Sequence, residues 1–250
     1  MRRLIPGVIT PFHAELLRDV PAFVDEYDPA LAIRLNGGTA LSAFYLGHRE
    51  SEDLDFMLTP AANCRAIGEG LVQKLGGVGI GLQALRGSPG FFEGIASHAS
   101  HASRGVRIQL VVQSPFLLEP VEPTDRGVRV TAWRDVVAGK LHAVCDRTEP
   151  RDFVDLHFIL DHLGARGQSS DAGSVLLSLV RDLQAHDPGL STAAIGRALA
   201  AGARADLYDG FPLRMLKPVD FGAVAGTAAW CARMIGEEVA DALRERGTGL

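Results

Sequence analysis

Two aspartates, Asp53 and Asp55, lie two residues apart in the short strand-like segment 51–58. Side chains alternate between the two faces of a β-strand, so the apolar residues at even positions would share one face and the two aspartates the other. The aspartate backbones would then lie roughly 6 to 7 Å apart, which lets both carboxylates reach one cation. Mg²⁺ suits such a site because it prefers oxygen ligands and keeps positions open for phosphates. Two solvated acids on an exposed strand would show the same pattern.

A glycine turn, Gly37-Gly38-Thr39, lies upstream between the apolar run 31–35 and the helix-like segment 40–46. Glycines let a backbone approach a polyphosphate closely, and the free N–H groups at the start of a helix favour an anion. The pattern therefore predicts a phosphate-binding turn. A tight turn capped by threonine would explain the same residues.

Further charged and polar residues that could contact phosphate lie in two places. Arg49 and Ser51 separate the glycine turn from the aspartate strand, where they could bind phosphate or close the connection. Lys140 and Arg151 lie in helix-like segments of the second half. Lys140 could bind phosphate as a point charge, and Arg151 could bind it by forked hydrogen bonds. The alternatives are a surface lysine on an amphipathic helix and an ion pair between Arg151 and Asp155 one turn away.

Two halves of different composition would position these residues. The first half alternates short strand-like runs with glycine turns, and the half after about Trp133 shows successive helical patterns. Strands are predicted over 31–35, 53–58, 78–85, 91–97 and 107–113, and helices over 63–75, 134–146, 151–163, 172–184, 192–201 and 221–246. We therefore predict an α+β fold with an N-terminal mixed-sheet domain, residues 1–130, and a helical C-terminal domain, residues 131–250.

Composition limits the classes of partner. With 47% hydrophobic and 22% charged residues, the chain is typical of folded globular proteins. A net charge of −5 argues against a surface that binds nucleic acid all over, although a local basic groove is compatible with it. The chain lacks a run of about 20 apolar residues, and its N-terminus reaches Pro6 before any apolar stretch of signal-peptide length. We expect a cytoplasmic protein without a membrane partner.

Two ordered motif blocks together resemble the AbiEii/AbiGii toxin family of the polymerase-β-like nucleotidyltransferase superfamily. The first block is Gly37-Gly38-Thr39-Ala40-Leu41, then Tyr45-Leu46, then His48-Arg49-x-Ser51-x-Asp53-Leu54-Asp55-Phe56. The second block is Lys140-Leu141-x-Ala143, then Asp146-Arg147, then Arg151-Asp152-Phe153-x-Asp155-Leu156. Two blocks in this order are much more specific than either alone. The resemblance extends over roughly residues 30–165.

The resemblance implies a nucleotidyltransferase that uses Mg²⁺ and a nucleoside triphosphate (NTP) and acts as the toxin of a toxin–antitoxin pair. It implies that Gly38 and Thr39 contact the triphosphate and that Asp53 and Asp55 bind the metal. It also implies that Lys140 and Asp152 complete the catalytic site from the second domain. The acceptor would be RNA, with tRNA as the candidate, and a cognate antitoxin would be a protein partner.

The superfamily generally uses a third carboxylate, on a neighbouring strand, to activate the acceptor hydroxyl. The candidate strand here is 107–113, and its predicted site-facing residues are Gln109 and Gln113. Glutamine cannot take up a proton as a carboxylate does. Either Asp152 or Glu93 takes this role, or the acceptor needs no strong base, or the protein binds nucleotide without turnover.

The sequence thus supports two functions. The first is Mg²⁺-dependent transfer of a nucleotide to an acceptor by in-line attack at the α-phosphorus, with pyrophosphate leaving. The second is a catalytically inactive domain of the same type that serves as a nucleotide- or protein-binding module. The glutamines favour the second function, and the intact Asp53 and Asp55 favour the first. If tRNA is the acceptor, a basic groove should include four arginines: Arg104, Arg107, Arg129 and Arg134.

Overall fold

The chain forms two compact units, Met1–Trp133 and Arg134–Leu250. Its structure is a computed structural model that describes residues 1–100, 105–113, 116–164 and 171–247. The first unit is built on a mixed β-sheet and the second on helices, so the predicted α+β class is confirmed. No helix in the described part of the chain is long and apolar enough to cross a membrane.

A mixed seven-stranded sheet forms the centre of the first unit. Its strands are β1 (Ile33–Asn36), β2 (Asp53–Leu58), β3 (Ile80–Ser88), β4 (Phe91–His98), β5 (Val106–Val112), β6 (Glu122–Pro123) and β7 (Arg129–Val130). The order across the sheet is β3-β4-β5-β2-β1-β7-β6. Strand β2 pairs antiparallel with β1 and parallel with β5, so it occupies the middle of the sheet.

One face of the sheet forms the core of this unit. The helices of the unit are α1 (Pro11–Tyr27), α2 (Gly37–Leu41) and α3 (Cys64–Gly76). The even-numbered residues of β2 are fully buried, as their alternation predicts. Helix α3 packs closely on this face at Gly68, where an added Cβ would lie 2.1 Å from the Phe92 ring, and α1 packs against α3 and β1. The opposite face of β2, which carries Asp53 and Asp55, therefore points away from this core.

The helix predicted after the glycine turn is present but irregular. Helix α2 begins at Gly37 and passes at Ser42 into a π-helical turn, Ser42–Leu46. The turn ends at Gly47, whose φ of +59° is the left-handed conformation common after helices. Helix α1 and the two-residue strands β6 and β7 are absent from the sequence-based prediction.

Five helices build the described part of the second unit. They are α4 (Trp133–Asp146), α5 (Pro150–His162), α6 (Ala172–His186), α7 (Thr192–Ala201) and α8 (Phe221–Gly247), with a 3-10 turn, Ala205–Tyr208, before α8. Each lies within two residues of a predicted helix. Helix α8 packs against α5 and α7, and an added Cβ at Gly196 of α7 would lie only 2.9 Å from Ile235. Small residues thus allow these helices to approach closely.

Candidate active site

Strand register places the polar residues of the first unit in one row across the sheet. Asp55 of β2 lies opposite Asn36 of β1 and Gln109 of β5, and Gln109 lies opposite Glu93 of β4. Directly paired residues point to the same face, so these four side chains share one face. Asp53, two residues before Asp55, shares it as well. The two aspartates therefore lie side by side on the face away from the core.

The Asp55 carboxylate lies directly against Gly37, the first residue of α2. An added Cβ at Gly37 would lie 2.1 Å from Asp55 Oδ2, and the φ of Gly37 is +69°, a conformation that favours glycine. The first N–H groups of a helix have no partner within the helix. The turn thus brings backbone donors for phosphate next to oxygen ligands for a cation.

Thr39 and Ser51 tie the glycine turn to the aspartate strand. The Thr39 hydroxyl hydrogen-bonds the backbone carbonyl of Asp53 and lies 2.7 Å from the Ser51 hydroxyl. A hydroxyl has one proton, so Thr39 can donate to the carbonyl while it accepts from Ser51. Both side chains are buried. Their hydroxyls hold the turn in place, and the turn's backbone N–H groups are the ones suited to a triphosphate.

Arg49 lies in the connection that leads to β2. Its guanidinium is buried, and Nη1 donates a hydrogen bond to the carbonyl of Glu50 at 3.0 Å. A buried cation needs such hydrogen bonds to offset its loss of water. The contact supports a role in closing the connection, and phosphate binding by Arg49 stays a prediction.

His13 of α1 supports the chain immediately before Asp53. Its Nδ1 lies 2.7 Å from the Thr10 hydroxyl, and its Nε2 lies 3.1 Å from the carbonyl of Glu52. A neutral ring with its proton on Nε2 donates to the carbonyl and accepts from Thr10. Burial lowers the pKa of His13, and this effect outweighs the hydrogen bond to Glu52 and the nearby acids, which raise it. His13 lies outside both motif blocks, so no sequence pattern pointed to it.

We expect His13 to make stability depend on pH. The unfolded chain takes up this proton more readily than the folded one because the folded pKa is lowered. The contribution of His13 is therefore complete above about pH 6.5 and is lost as the pH falls through the folded pKa. His13→Gln should lower the free energy of unfolding by about 1 kcal/mol at pH 7.5. Urea denaturation should show a smaller difference at pH 5, and an equal difference at both pH values would contradict this account.

Strand β5 lies beside β2 as predicted, but the residue opposite Asp53 is Arg107. Arg107 Nε lies 3.6 Å from Asp53 Oδ1, and Nη1 lies 2.9 Å from Glu93 Oε1. Gln109 stands opposite Asp55. Within the described residues, no group of three or more His, Cys, Asp or Glu side chains could hold a metal ion. The two aspartates are oxygen ligands of the kind that Mg²⁺ prefers, with water and substrate as its usual further ligands.

Glu93, one of the two suggested substitutes for the third carboxylate, is a buried counter-ion. Its side chain is 1% exposed and lies 2.5 Å from Arg86 Nη2 and 2.9 Å from Arg107 Nη1. Burial raises the pKa of Glu93, but hydrogen bonds from Arg86 and Gln109 and the charges of both arginines outweigh it, so the pKa lies below its usual value. A carboxylate held in this way accepts protons poorly. These contacts weigh against Glu93 as the general base, and a role for it stays a prediction.

Lys140 and Asp152 belong to a buried charge cluster in the second unit. Lys140 Nζ lies 2.6 Å from Asp155 Oδ2 and 3.3 Å from Asp152 Oδ1, and Arg147 Nε lies 2.9 Å from Asp152 Oδ2. Both aspartate side chains are fully buried, and that of Lys140 is 7% exposed. Lys140 and Arg147 thus supply cations to two buried carboxylates, which offsets part of the cost of burying charge.

The first two turns of α5 carry Arg151, Asp152 and Asp155 of the second motif block. Asp152 and Asp155, three residues apart, both point into the charge cluster, as their shared helical face predicts. Arg151 Nε lies 2.7 Å from Glu149 Oε2, and a third of the Arg151 side chain is exposed. Arg151 thus forms an ion pair with Glu149. Nucleotide binding by Arg151 stays a prediction.

The four arginines expected in a basic groove differ in their surroundings. Arg104 lies outside the described residues. Arg107 forms the ion pairs given above, and Arg134 Nη2 lies 2.5 Å from Asp182 Oδ1. Arg129 is exposed on β7. Two of these arginines are thus partly neutralised by acids.

Three solved structures share the fold over most of their length. A Helicobacter pylori protein described as a nucleotidyltransferase is 19% identical, with a TM-score of 0.52 over 95% of this chain and 98% of that one. JHP933 from H. pylori is 18% identical, with a TM-score of 0.52 over 98% of both chains. MenT4, a nucleotidyltransferase toxin from Mycobacterium tuberculosis, is 17% identical, with a TM-score of 0.51 over 90% of this chain and 84% of that one. The fold is therefore of the nucleotidyltransferase type.

The family follows from the sequence match. Residues 23–211 match the family described as nucleotidyl transferase AbiEii toxin, Type IV toxin–antitoxin system. The chain belongs to this family, which confirms the predicted relationship and the nucleotidyltransferase class. The match extends beyond residues 30–165 at both ends. No curated protein sequence is significantly similar to the chain.

Proposed function

We propose that the chain transfers a nucleotide from an NTP to an RNA acceptor, tRNA, with Mg²⁺ held by Asp53 and Asp55. The contact between Gly37 and the Asp55 carboxylate carries this proposal. This contact places a glycine turn that can bind phosphates next to a carboxylate that can bind Mg²⁺. When bound, Mg²⁺ would neutralise phosphate charge in the reaction.

In this proposal the residues of the glycine turn and the side chains that hold it have separate roles. The backbone of Gly37, Gly38 and Thr39 binds the triphosphate through N–H groups. The hydroxyls of Thr39 and Ser51 keep that backbone beside Asp53. Catalysis then depends mainly on positioning and charge neutralisation, as is usual when the protein forms no covalent intermediate.

The helical domain, residues 131–250, contributes Lys140, Asp152 and Arg151 to the same reaction in this proposal. The support is the second motif block, which lies inside the family match. Asp152 stays a candidate for the missing carboxylate on the motif match alone, because Lys140 and Arg147 hold it much as two arginines hold Glu93. Arg49 and Arg151 are retained as candidate nucleotide-binding residues.

Two further parts of the proposal concern the protein partner and the location of the reaction. A Type IV toxin–antitoxin family implies a cognate antitoxin as the counterpart of this chain. NTPs and tRNA are found in the cytoplasm, so the proposed substrates place the reaction there. The cytoplasmic location therefore depends on the proposed reaction.

A second function is favoured by one observation. Arg107 occupies the position opposite Asp53 on β5, and this strand has no carboxylate. An arginine cannot act as a general base, because it stays protonated. The same site would then bind nucleotide without turnover, as a binding module.

Transfer of label from NTP to RNA tests the proposal. The chain is incubated with Mg²⁺, total tRNA and each α-labelled NTP in turn. We expect labelled RNA with one NTP, and a loss of about 100-fold or more in Asp53→Asn/Asp55→Asn. Glu69→Gln removes an exposed carboxylate of α3 and should leave transfer unchanged.

Two other outcomes would overturn the proposal in different ways. Binding of NTP without transfer for all four nucleotides would favour the binding module. Transfer that survives in the double variant would place the metal site elsewhere.

A further inference from the structure

Arg107 is placed to compete with any cation for Asp53. The two residues face each other on the parallel strands β2 and β5, and Arg107 Nε lies 3.6 Å from Asp53 Oδ1. Their side chains are 47% and 34% exposed, so solvent ions can reach both. A positive charge this close to a carboxylate attracts it and repels a second cation that approaches the same oxygens.

Glu93 anchors Arg107 from the other side. Arg107 Nη1 lies 2.9 Å from Glu93 Oε1, while Arg86 Nη2 lies 2.5 Å from Glu93 Oε2. The pKa of Glu93 is lowered, so this carboxylate stays ionised at neutral pH. Arg107 therefore contacts two carboxylates: the buried, ionised Glu93 and the accessible Asp53 of the candidate metal site.

We propose that Arg107, anchored on Glu93, is the resident counter-ion of Asp53 and determines how tightly Asp53 and Asp55 bind a divalent cation. The inference rests on the proposed function, in which these aspartates are the metal ligands. A free divalent cation must compete with the guanidinium for Asp53 and is repelled by it. A cation that arrives with a triphosphate brings negative charge, which reduces this repulsion. The site thus favours metal that enters together with nucleotide.

Binding of Mn²⁺ alone tests this assignment without any substrate or turnover. The full chain is titrated with Mn²⁺, and the free ion is measured by electron paramagnetic resonance. Arg107→Gln keeps a hydrogen-bond donor for Glu93 but removes the positive charge. We expect it to bind Mn²⁺ about ten-fold more tightly, which is what Coulomb's law gives for a single and a double charge about 6 Å apart in water.

A matched control separates this effect from a change in net charge. Arg86→Gln removes the same charge from the same partner, Glu93, but Arg86 makes none of the described contacts with Asp53. It should change Mn²⁺ affinity by less than about two-fold. Arg107→Lys retains the charge and should stay closer to wild type than Arg107→Gln. Thermal unfolding of each variant checks that the fold is kept.

The outcomes distinguish this inference from the proposed function. If Arg107→Gln binds Mn²⁺ no more tightly than wild type or Arg86→Gln, the inference is wrong. If Asp53→Asn/Asp55→Asn binds Mn²⁺ as wild type does, the metal site itself is wrong and the inference fails with it. If the double variant no longer binds Mn²⁺ and Arg107→Gln binds it more tightly, the result would support both the metal site and the role of Arg107.

Discussion

Replacing Gly37 with alanine should reduce nucleotidyl transfer by about 100-fold or more, because the carboxylate of Asp55 would have to move by about 1 Å. The added Cβ would lie 2.1 Å from Asp55 Oδ2 and 3.0 Å from Cγ. A displaced Asp55 could no longer share a cation with Asp53 in the same geometry. Steady-state transfer of α-labelled nucleotide measures the effect, and circular dichroism shows whether the variant is folded.

Gly210 offers a matched control for this substitution. Its φ of +68° equals that of Gly37 within one degree, but an added Cβ would meet nothing within 4 Å. Both alanine variants carry the cost of a left-handed conformation, about 1–2 kcal/mol. Gly210→Ala should therefore lose stability to a similar extent and retain transfer. Wild-type transfer by Gly37→Ala would exclude Asp55 from the metal site.

The elements with strong local patterns could be predicted from the sequence. Strand β2 and helix α7 lie at their predicted bounds, 53–58 and 192–201. Helix α1 could not be found in this way, since Pro21 lies inside it and proline ordinarily interrupts helices. Strands β6 and β7 are only two residues long and depend on pairing with each other and β1, which no local pattern reveals.

The candidate site was predictable to the extent that it is local. The shared face of Asp53 and Asp55 follows from alternation along one strand, and the first motif block contains both this strand and the glycine turn. The position of Arg107 depends on the register between β2 and β5, which brings together residues 54 apart in sequence. Register is set by packing of the whole sheet, so the sequence indicated the site-facing Gln109 but not Arg107 as the partner of Asp53.

Side-chain roles were less predictable than positions. Contact of Thr39 with triphosphate stays a prediction, and the structure shows that the Thr39 hydroxyl bonds the backbone carbonyl of Asp53. The sequence could not show this because the acceptor is a backbone atom. Likewise phosphate binding by Lys140 stays a prediction, and the structure shows that its ammonium lies beside two buried aspartates, Asp152 and Asp155. In both cases the partner lies in the same motif block, but only the three-dimensional structure shows which atoms meet.

Replacing Lys140 with methionine should lower the free energy of unfolding by about 3–5 kcal/mol, because it removes one cation from a buried, balanced cluster. Asp155 would lose a partner at 2.6 Å and Asp152 one at 3.3 Å, and both carboxylates are fully buried. Urea denaturation of the full chain measures the change. Lys74→Met, which removes an exposed lysine paired with Glu26, should change stability by no more than about 0.5 kcal/mol.

The double variant Lys140→Met/Asp155→Asn separates the structural role of Lys140 from a catalytic one. Removing one negative charge with the positive one restores the charge balance around Asp152 and Arg147, so most of the lost stability should return. If the double variant is as stable as wild type but transfers no nucleotide, the Lys140–Asp155 pair acts in the reaction. If it is stable and active, the cluster serves the helical unit alone, and the proposed contribution of Lys140 to catalysis is wrong.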